Sequence, residues 1–162
     1  RKEQLLHTEH NPIHEFFQSM EHYATQRFDP SSEPPGKYFT LDHRHFRIKE
    51  FEVVRDHNGA VIYQGPILAI HLKRVWNALQ DIRASITSEI SLSVLESHLM
   101  NSSYFLDKSV QMLLTKSMAA KKEGNVRCYI LNVDELLSKG MMEELIEKAR
   151  DYEKTRVHRL TF

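Results

Sequence analysis

The sequence predicts an α+β domain in which a small antiparallel sheet, a hairpin plus one later strand, packs against several amphipathic helices. Apolar residues recur at helical spacing in several segments and alternate at period two around residues 46–63 and 126–130. An Asp-His-Asn-Gly turn also separates two of the alternating runs. The length of 162 residues favours a single domain over residues 1–162, which we expect to be part of a larger protein.

The N-terminal segment predicts a short helix over residues 2–10 and a longer helix that begins after Asn11. Asparagine is a favoured N-cap residue, and Pro12 suits the first helical position. Between residues 29 and 36, three prolines, two serines and a glycine predict a Pro/Ser-rich loop. The apolar residues of the longer helix fall on one stripe: Ile13, Phe16, Phe17, Met20, Tyr23 and Ala24.

The middle of the chain predicts the hairpin. We expect strands at residues 38–41 and 46–53, with a bulge at 49–50 that keeps Phe46, Ile48, Phe51 and Val53 on one face. The turn at residues 56–59 follows from its Asn-Gly pair, because both residue types tolerate positive φ. Residues 60–63 form the return strand, and residues 67–70 fit either more sheet or the start of the next helix.

The second half predicts helices around one more strand. A clean apolar stripe runs from Leu72 to Ile86, and Ser93 with Glu96 matches a capping box before a helix that ends near residue 100. A further helix is expected from residue 103 or 107 to 122, with apolar positions at 110, 113, 114 and 118. Residues 126–130 alternate as a strand that joins the hairpin. Asn132 caps the last helix, which has a weak point at Gly140.

Composition excludes several classes of function. Lys plus Arg and Asp plus Glu number 22 each, which argues against nucleic-acid binding and against attraction to an anionic membrane. The single cysteine, Cys128, rules out an intrachain disulfide and suits a reducing compartment, cytoplasm or nucleus. We expect it to be a small buried side chain. The five glycines do not cluster, so no phosphate-binding loop is predicted, and we expect no cofactor.

Ten histidines are the unusual feature of the composition. On a strand, His43 and His45 would share one face, and Glu50 follows five residues later. Imidazoles with a carboxylate can hold iron, manganese or zinc, so these three residues are a candidate metal site. The alternative is a solvated polar face of the sheet.

A protein-binding surface is predicted on the last helix. Met141 and Met142 lie beside Gly140, and methionine adapts well to a partner. The stripe through Leu145 and Tyr152 is narrow, which fits either packing within the chain or pairing with a partner helix.

These patterns favour a non-catalytic function. The leading hypothesis is a protein–protein interaction or oligomerisation module, with a regulatory role, of an intracellular protein. A small-molecule sensing domain is the first alternative, with an apolar pocket expected between Trp76 and the sheet. A metal-dependent enzyme that uses His43 and His45 is the second.

Overall fold

The computed structural model describes residues 11–26, 40–114 and 124–160. The predicted helix over 2–10 and the predicted loop over 29–36 lie outside these residues. The elements in chain order are α1 (Pro12–Thr25), β1 (Phe46–Arg55), β2 (Val61–Ile70), α2 (Leu72–Asp81), α3 (Ile86–Glu89), α4 (Leu92–Met100), β3 (Phe105–Met112), β4 (Val126–Asn132), α5 (Val133–Ser138) and α6 (Glu143–Leu160).

Helix α1 begins where the sequence predicts it. The Asn11 side chain accepts a hydrogen bond from the backbone N–H of Ile13 at 2.9 Å, and Pro12 occupies the first helical position. The predicted apolar stripe is buried at Ile13, Phe16, Phe17, Met20 and Ala24. This helix therefore presents one continuous apolar face to the core.

Strands β1 and β2 form the predicted hairpin. The Asp56 carboxylate accepts hydrogen bonds from the backbone N–H groups of Asn58 and Ala60, both at 2.9 Å, and Gly59 has φ +85°. The pairing register shifts between Lys49 and Glu52, which is the predicted bulge. Residues 67–70, for which the sequence left two choices, continue strand β2.

Within the described residues the sheet has four antiparallel strands in the order β1-β2-β4-β3, so the α+β class is confirmed with one strand more than expected. The additional strand is β3, in a segment for which the sequence predicted a helix. For residues 105–112 that prediction is wrong, because β3 pairs with β4, for example Val110 with Cys128. The rest of the predicted helix, from residue 115 to 122, lies outside the described residues. Two register shifts and the left-handed backbone of Ser109 (φ +58°) disrupt the period-two alternation that would have identified a strand.

Several helix boundaries also differ from prediction. The helix that begins at Leu72 ends at Asp81. Ile86, which the sequence placed on the same apolar stripe, belongs to the separate helix α3. Helix α4 is capped by Ser91, whose hydroxyl accepts from the N–H of Val94 at 3.3 Å, and not by Ser93. The expected strand over 38–41 does not extend to residues 40 and 41, which form no regular structure.

The predicted weak point of the last helix at Gly140 is confirmed. The chain breaks there into α5 and α6, with Gly140 at φ +69° and Met142 at φ +56°. Asn132 caps α5 as predicted, because its side chain accepts from the N–H of Glu135 at 3.0 Å.

The core lies on both faces of the sheet, since neighbouring residues of one strand point to opposite faces. On the face toward the helices, the sheet packs against α1, α2 and α6, and Trp76 is buried in this main cluster as predicted. The opposite face carries a second, smaller cluster: Ile67, Ala69, Met112, Leu114, Cys128 and Ile130. Within the described ranges, no helix combines the length and the apolar character that crossing a membrane requires.

Candidate functional site

The two candidate metal-binding histidines lie in a turn before β1 and not on a strand. The backbone N–H of His45 donates to the carbonyl of Asp42 at 2.9 Å, and β1 begins only at Phe46. The expectation that His43 and His45 share a strand face is therefore wrong. The buried ring of His45 instead turns back on its own loop, where Nδ1 lies 3.1 Å from the backbone nitrogen of Asp42.

Asp42 organises this turn electrostatically. Its carboxylate accepts hydrogen bonds from the Arg44 guanidinium, from Nε at 3.0 and 3.2 Å and from Nη2 at 3.0 Å, and it lies 3.3 Å from Nδ1 of His45. Burial alone would raise the pKa of Asp42. The hydrogen bonds with His45 and Arg44 outweigh burial and hold the pKa well below its usual range.

His43 and Glu50 are held by helix α6. The His43 ring meets the ring of Tyr152 edge-on, with centroids 5.6 Å apart, and Glu50 accepts from the Arg150 guanidinium at 2.7 Å. Across ranges 11–26, 40–114 and 124–160, no group of three or more His, Cys, Asp or Glu side chains is placed to hold a metal ion. The structure thus does not bring His43, His45 and Glu50 together as a ligand set.

The residues predicted to bind a partner belong mainly to the chain's own core. Met142 and Leu145 are buried in the main cluster, and Met141 and Tyr152 pack against it partly exposed. Of the two alternatives that the narrow stripe left open, packing within the chain is the one observed. The start of α6 is also held to α1, because Glu21 accepts hydrogen bonds from the backbone N–H groups of Glu144 and Leu145.

Cys128 is buried on β4 in the smaller cluster, as predicted. Burial raises the pKa of its thiol to about 12, although the Arg74 charge acts in the opposite direction. The thiol is therefore protonated at neutral pH, and it lacks the thiolate character that a nucleophile needs.

The outer end of the β1–β2 hairpin exposes large apolar side chains that sequence reasoning placed in the sheet but not at its surface. Phe51 is 72% exposed, and Val53, Val61 and Ile62 are 41%, 49% and 50% exposed. We call these four residues the hairpin patch. Strand β2 pairs with β4 only over residues 67–70, so the outer half of the hairpin extends past the end of β4.

The bulge places part of the patch on the helix side of the sheet. Ile48 pairs with Leu68 and Val53 pairs with Gln64, so the two β1 residues face the same way on either side of the bulge. The prediction of a shared face is therefore confirmed for this pair. Ile48 is buried, whereas Val53 lies farther along the hairpin and is exposed.

A second candidate site is a cleft of about 590 Å³ beside helix α1, which we call the α1 cleft. It lies between α1, the residues just before β3, and the connection between α5 and α6, and Trp76 does not line it. The rings of Phe17 and Tyr104 are buried there with centroids 5.6 Å apart. The lining residues are Asn11, His14, Phe17, Gln18, Glu21, Ser103, Tyr104, Lys139, Gly140, Met141 and Met142.

The α1 cleft unites two of the residues that the sequence singled out, Met141 and Met142, with others that it did not. The local signal was present, because His14, Phe17, Gln18 and positions 11 and 21 recur along one side of α1. The sequence does not indicate which distant segments form the other side of the cleft.

Comparisons with family models, with curated proteins and with solved structures found no match for this chain.

Proposed function

We propose that this chain is a non-catalytic interaction module that self-associates through the hairpin patch. The observation that carries the proposal is the exposure of Phe51 together with three β-branched neighbours on one hairpin end. Several large apolar side chains exposed at one end of a single hairpin are a feature of protein-binding sites. Each Å² of apolar area withdrawn from water is worth roughly 25 cal/mol, so covering this end would favour association.

A second copy is the partner that the charges of the hairpin allow. Lys49 lies 3.5 Å from Glu52, Glu50 is paired with Arg150, and the Arg55 guanidinium donates to the Gly59 carbonyl at 2.9 Å. Lys49, Glu50 and Glu52 thus have partners of opposite charge within one chain. Two copies with a formal net charge of zero can approach without strong repulsion.

The backbone of the hairpin also suits a twofold arrangement. Among the described strands, β2 has only β1 as a partner from Val61 to Pro66. An unpaired edge is a template for another strand, and an antiparallel pair of identical segments is self-complementary about a twofold axis. Edge pairing would place Val61 and Ile62 of one copy next to the same residues of the other copy.

Sedimentation velocity over a wide range of protein concentration tests the proposal. We expect the average mass of the wild-type protein to rise toward that of a dimer, and the double variant Phe51→Ser/Ile62→Ser to stay monomeric. Val94→Ser is the matched control, because Val94 is 42% exposed but lies on α4, away from the hairpin. A wild-type protein that remains monomeric at every concentration, or equal behaviour of the two variants, would refute self-association through this patch.

A further inference from the structure

The tip of the β1–β2 hairpin carries an Asn-Gly pair in an open setting. Asn58 is exposed, and Gly59 has φ +85° with no atom within 4 Å of the place where a side chain would begin. No other asparagine of the sequence is followed by glycine. Because glycine has no side chain, its backbone nitrogen is sterically accessible to the side chain of the asparagine before it.

This arrangement allows a reaction within the chain that needs only water and hydroxide. The Gly59 nitrogen gives up its proton to hydroxide and attacks Cγ of Asn58. A C–N bond forms, the side-chain nitrogen leaves as ammonia, and a succinimide ring remains. Water then opens the ring at either carbonyl, which gives an aspartyl or an isoaspartyl residue. In total one water is taken up and one ammonia is released, and residue 58 gains a carboxylate that is ionised at neutral pH.

The turn holds the attacking nitrogen in a hydrogen bond. The Gly59 N–H donates to the carbonyl of Asp56 at 2.9 Å. The Asp56 carboxylate also accepts from the N–H groups of Asn58 and Ala60, both at 2.9 Å, and so closes the turn from its other side. Because Gly59 must release its proton before it attacks, the reaction requires this turn to open. Exposed ends of a structure open locally at a lower free energy than the whole domain unfolds.

We propose that Asn58 is a site of spontaneous deamidation whose rate is set by opening of the turn at Asp56. The product adds a negative charge beside Asp56. In the isoaspartyl form the main chain also gains one carbon atom, so the hydrogen bonds of the turn cannot all keep their geometry. Val61 and Ile62 follow the turn directly, and the modification therefore weakens association through the hairpin patch. Only this last consequence rests on the function proposed above.

Mass spectrometry of the full chain after incubation at pH 8 measures the reaction. The tryptic peptide 56–73 contains Asn58 as its only asparagine, and the peptide 75–83 contains Asn77, which is exposed on α2 and followed by alanine. We expect Asn58 to convert at least fivefold faster than Asn77 in the folded chain, and at least fivefold faster again in guanidinium chloride. Absence of conversion at Asn58 in the folded chain would refute the site, and equal rates in the folded and unfolded chains would refute control by the turn.

Two variants of Asp56 test the turn directly. Asp56→Ala should speed conversion of the folded chain at least fivefold, because two hydrogen bonds of the turn are lost, and Asp56→Ser, which keeps a short accepting oxygen, should lie between it and the wild type. Glu52→Ala is the matched control, since it removes a carboxylate of the same hairpin that pairs with Lys49. It should stay within twofold of the wild type. Circular dichroism checks that each variant is folded, and equal rates for Asp56→Ala and Glu52→Ala would overturn the role of the turn.

Sedimentation velocity tests the consequence for the hairpin patch. The isoaspartyl chain, separated from the unmodified chain by chromatography, should need at least fivefold higher concentration to dimerise. Equal dimerisation of the two chains would overturn the effect on the patch. An unmodified chain that stays monomeric at every concentration would refute self-association itself, and the peptide measurements would still decide whether Asn58 is modified.

Discussion

At the scale of single residues, Asp42 shows how one carboxylate stabilises the turn that precedes β1. It accepts from the backbone N–H of Arg44 at 2.9 Å as well as from its guanidinium, and it lies 3.3 Å from Nδ1 of His45. The carboxylate must be ionised to accept all these bonds. Its stabilising effect is therefore fully present above the ordinary pKa of 3.8 and is lost as pH falls toward the much lower folded-state value.

Asp42→Asn should remove this acid-sensitive contribution. At pH 7 we expect the variant to be less stable than the wild type by about 1–3 kcal/mol, because charged hydrogen bonds are replaced by neutral ones. Urea unfolding at a series of pH values from 7 to 2 measures the effect, and the difference in stability between the two proteins should shrink as the pH falls below 3.8. Asp81→Asn, which removes an exposed carboxylate from α2, is the control. A difference between Asp42→Asn and wild type that stays constant over the whole pH range would contradict this account.

At the scale of elements, the sequence correctly predicted the features that depend only on neighbouring residues. The cap and stripe of α1, the bulge of β1 and the Asn-Gly turn all lie within a few residues of the structure they produce. Strand β3 was missed because what makes it a strand is its pairing with β4, and two register shifts obscure its alternation. Helix propensity is a weak prior that such tertiary pairing overrides.

Helix α6 depends on a cap that its own sequence does not supply. The first N–H groups of a helix lack partners within the helix, and here Glu21, more than 120 positions earlier on α1, accepts two of them. Its negative charge also interacts favourably with the helix N-terminus. This contact joins the two helices whose neighbourhood forms the α1 cleft.

Glu21→Ala should therefore destabilise the protein by about 1–2 kcal/mol, the usual effect of losing an N-cap. Glu21→Gln should lose less, because it keeps one accepting oxygen at the same place while removing the charge. The measurement is urea unfolding followed by circular dichroism. Glu143→Ala removes an exposed acidic residue from the same helix turn and should change stability little. If Glu21→Ala and Glu143→Ala cost the same, the cross-helix cap contributes nothing beyond general charge.

At the scale of the whole molecule, both candidate sites arise from where elements end relative to one another. The apolar alternation of the hairpin could be predicted from the sequence. The exposure of Phe51 and Ile62 could not, because it follows from β4 pairing only with residues 67–70 of β2. The α1 cleft needs α1, Ser103 and the loop at Gly140 to meet in space. Helical and strand periodicity indicates which faces are apolar, and it contains no information about which distant segment covers them.

The two core clusters share the strands of one sheet, which links their stabilities. On β4, Ile130 lies in the smaller cluster and Leu131 in the main one, and both are buried. Because the same backbone supports both faces, we expect a single cooperative unfolding transition. Ile130→Ala and Leu131→Ala should each lower the free energy of unfolding by about 2–5 kcal/mol, the usual effect of truncating a buried aliphatic side chain.

Two probes that report on different parts of the protein make this testable. The fluorescence of Trp76 reports on the main cluster, and far-ultraviolet circular dichroism reports on the whole backbone. In Ile130→Ala both signals should shift to lower denaturant by the same amount, although the truncated side chain faces away from the tryptophan's cluster. Exposed Val94→Ala, on α4, should leave both curves nearly unchanged. Should the circular dichroism shift while the tryptophan signal stays in place, the two faces would unfold separately, and a single cooperative domain would be the wrong description.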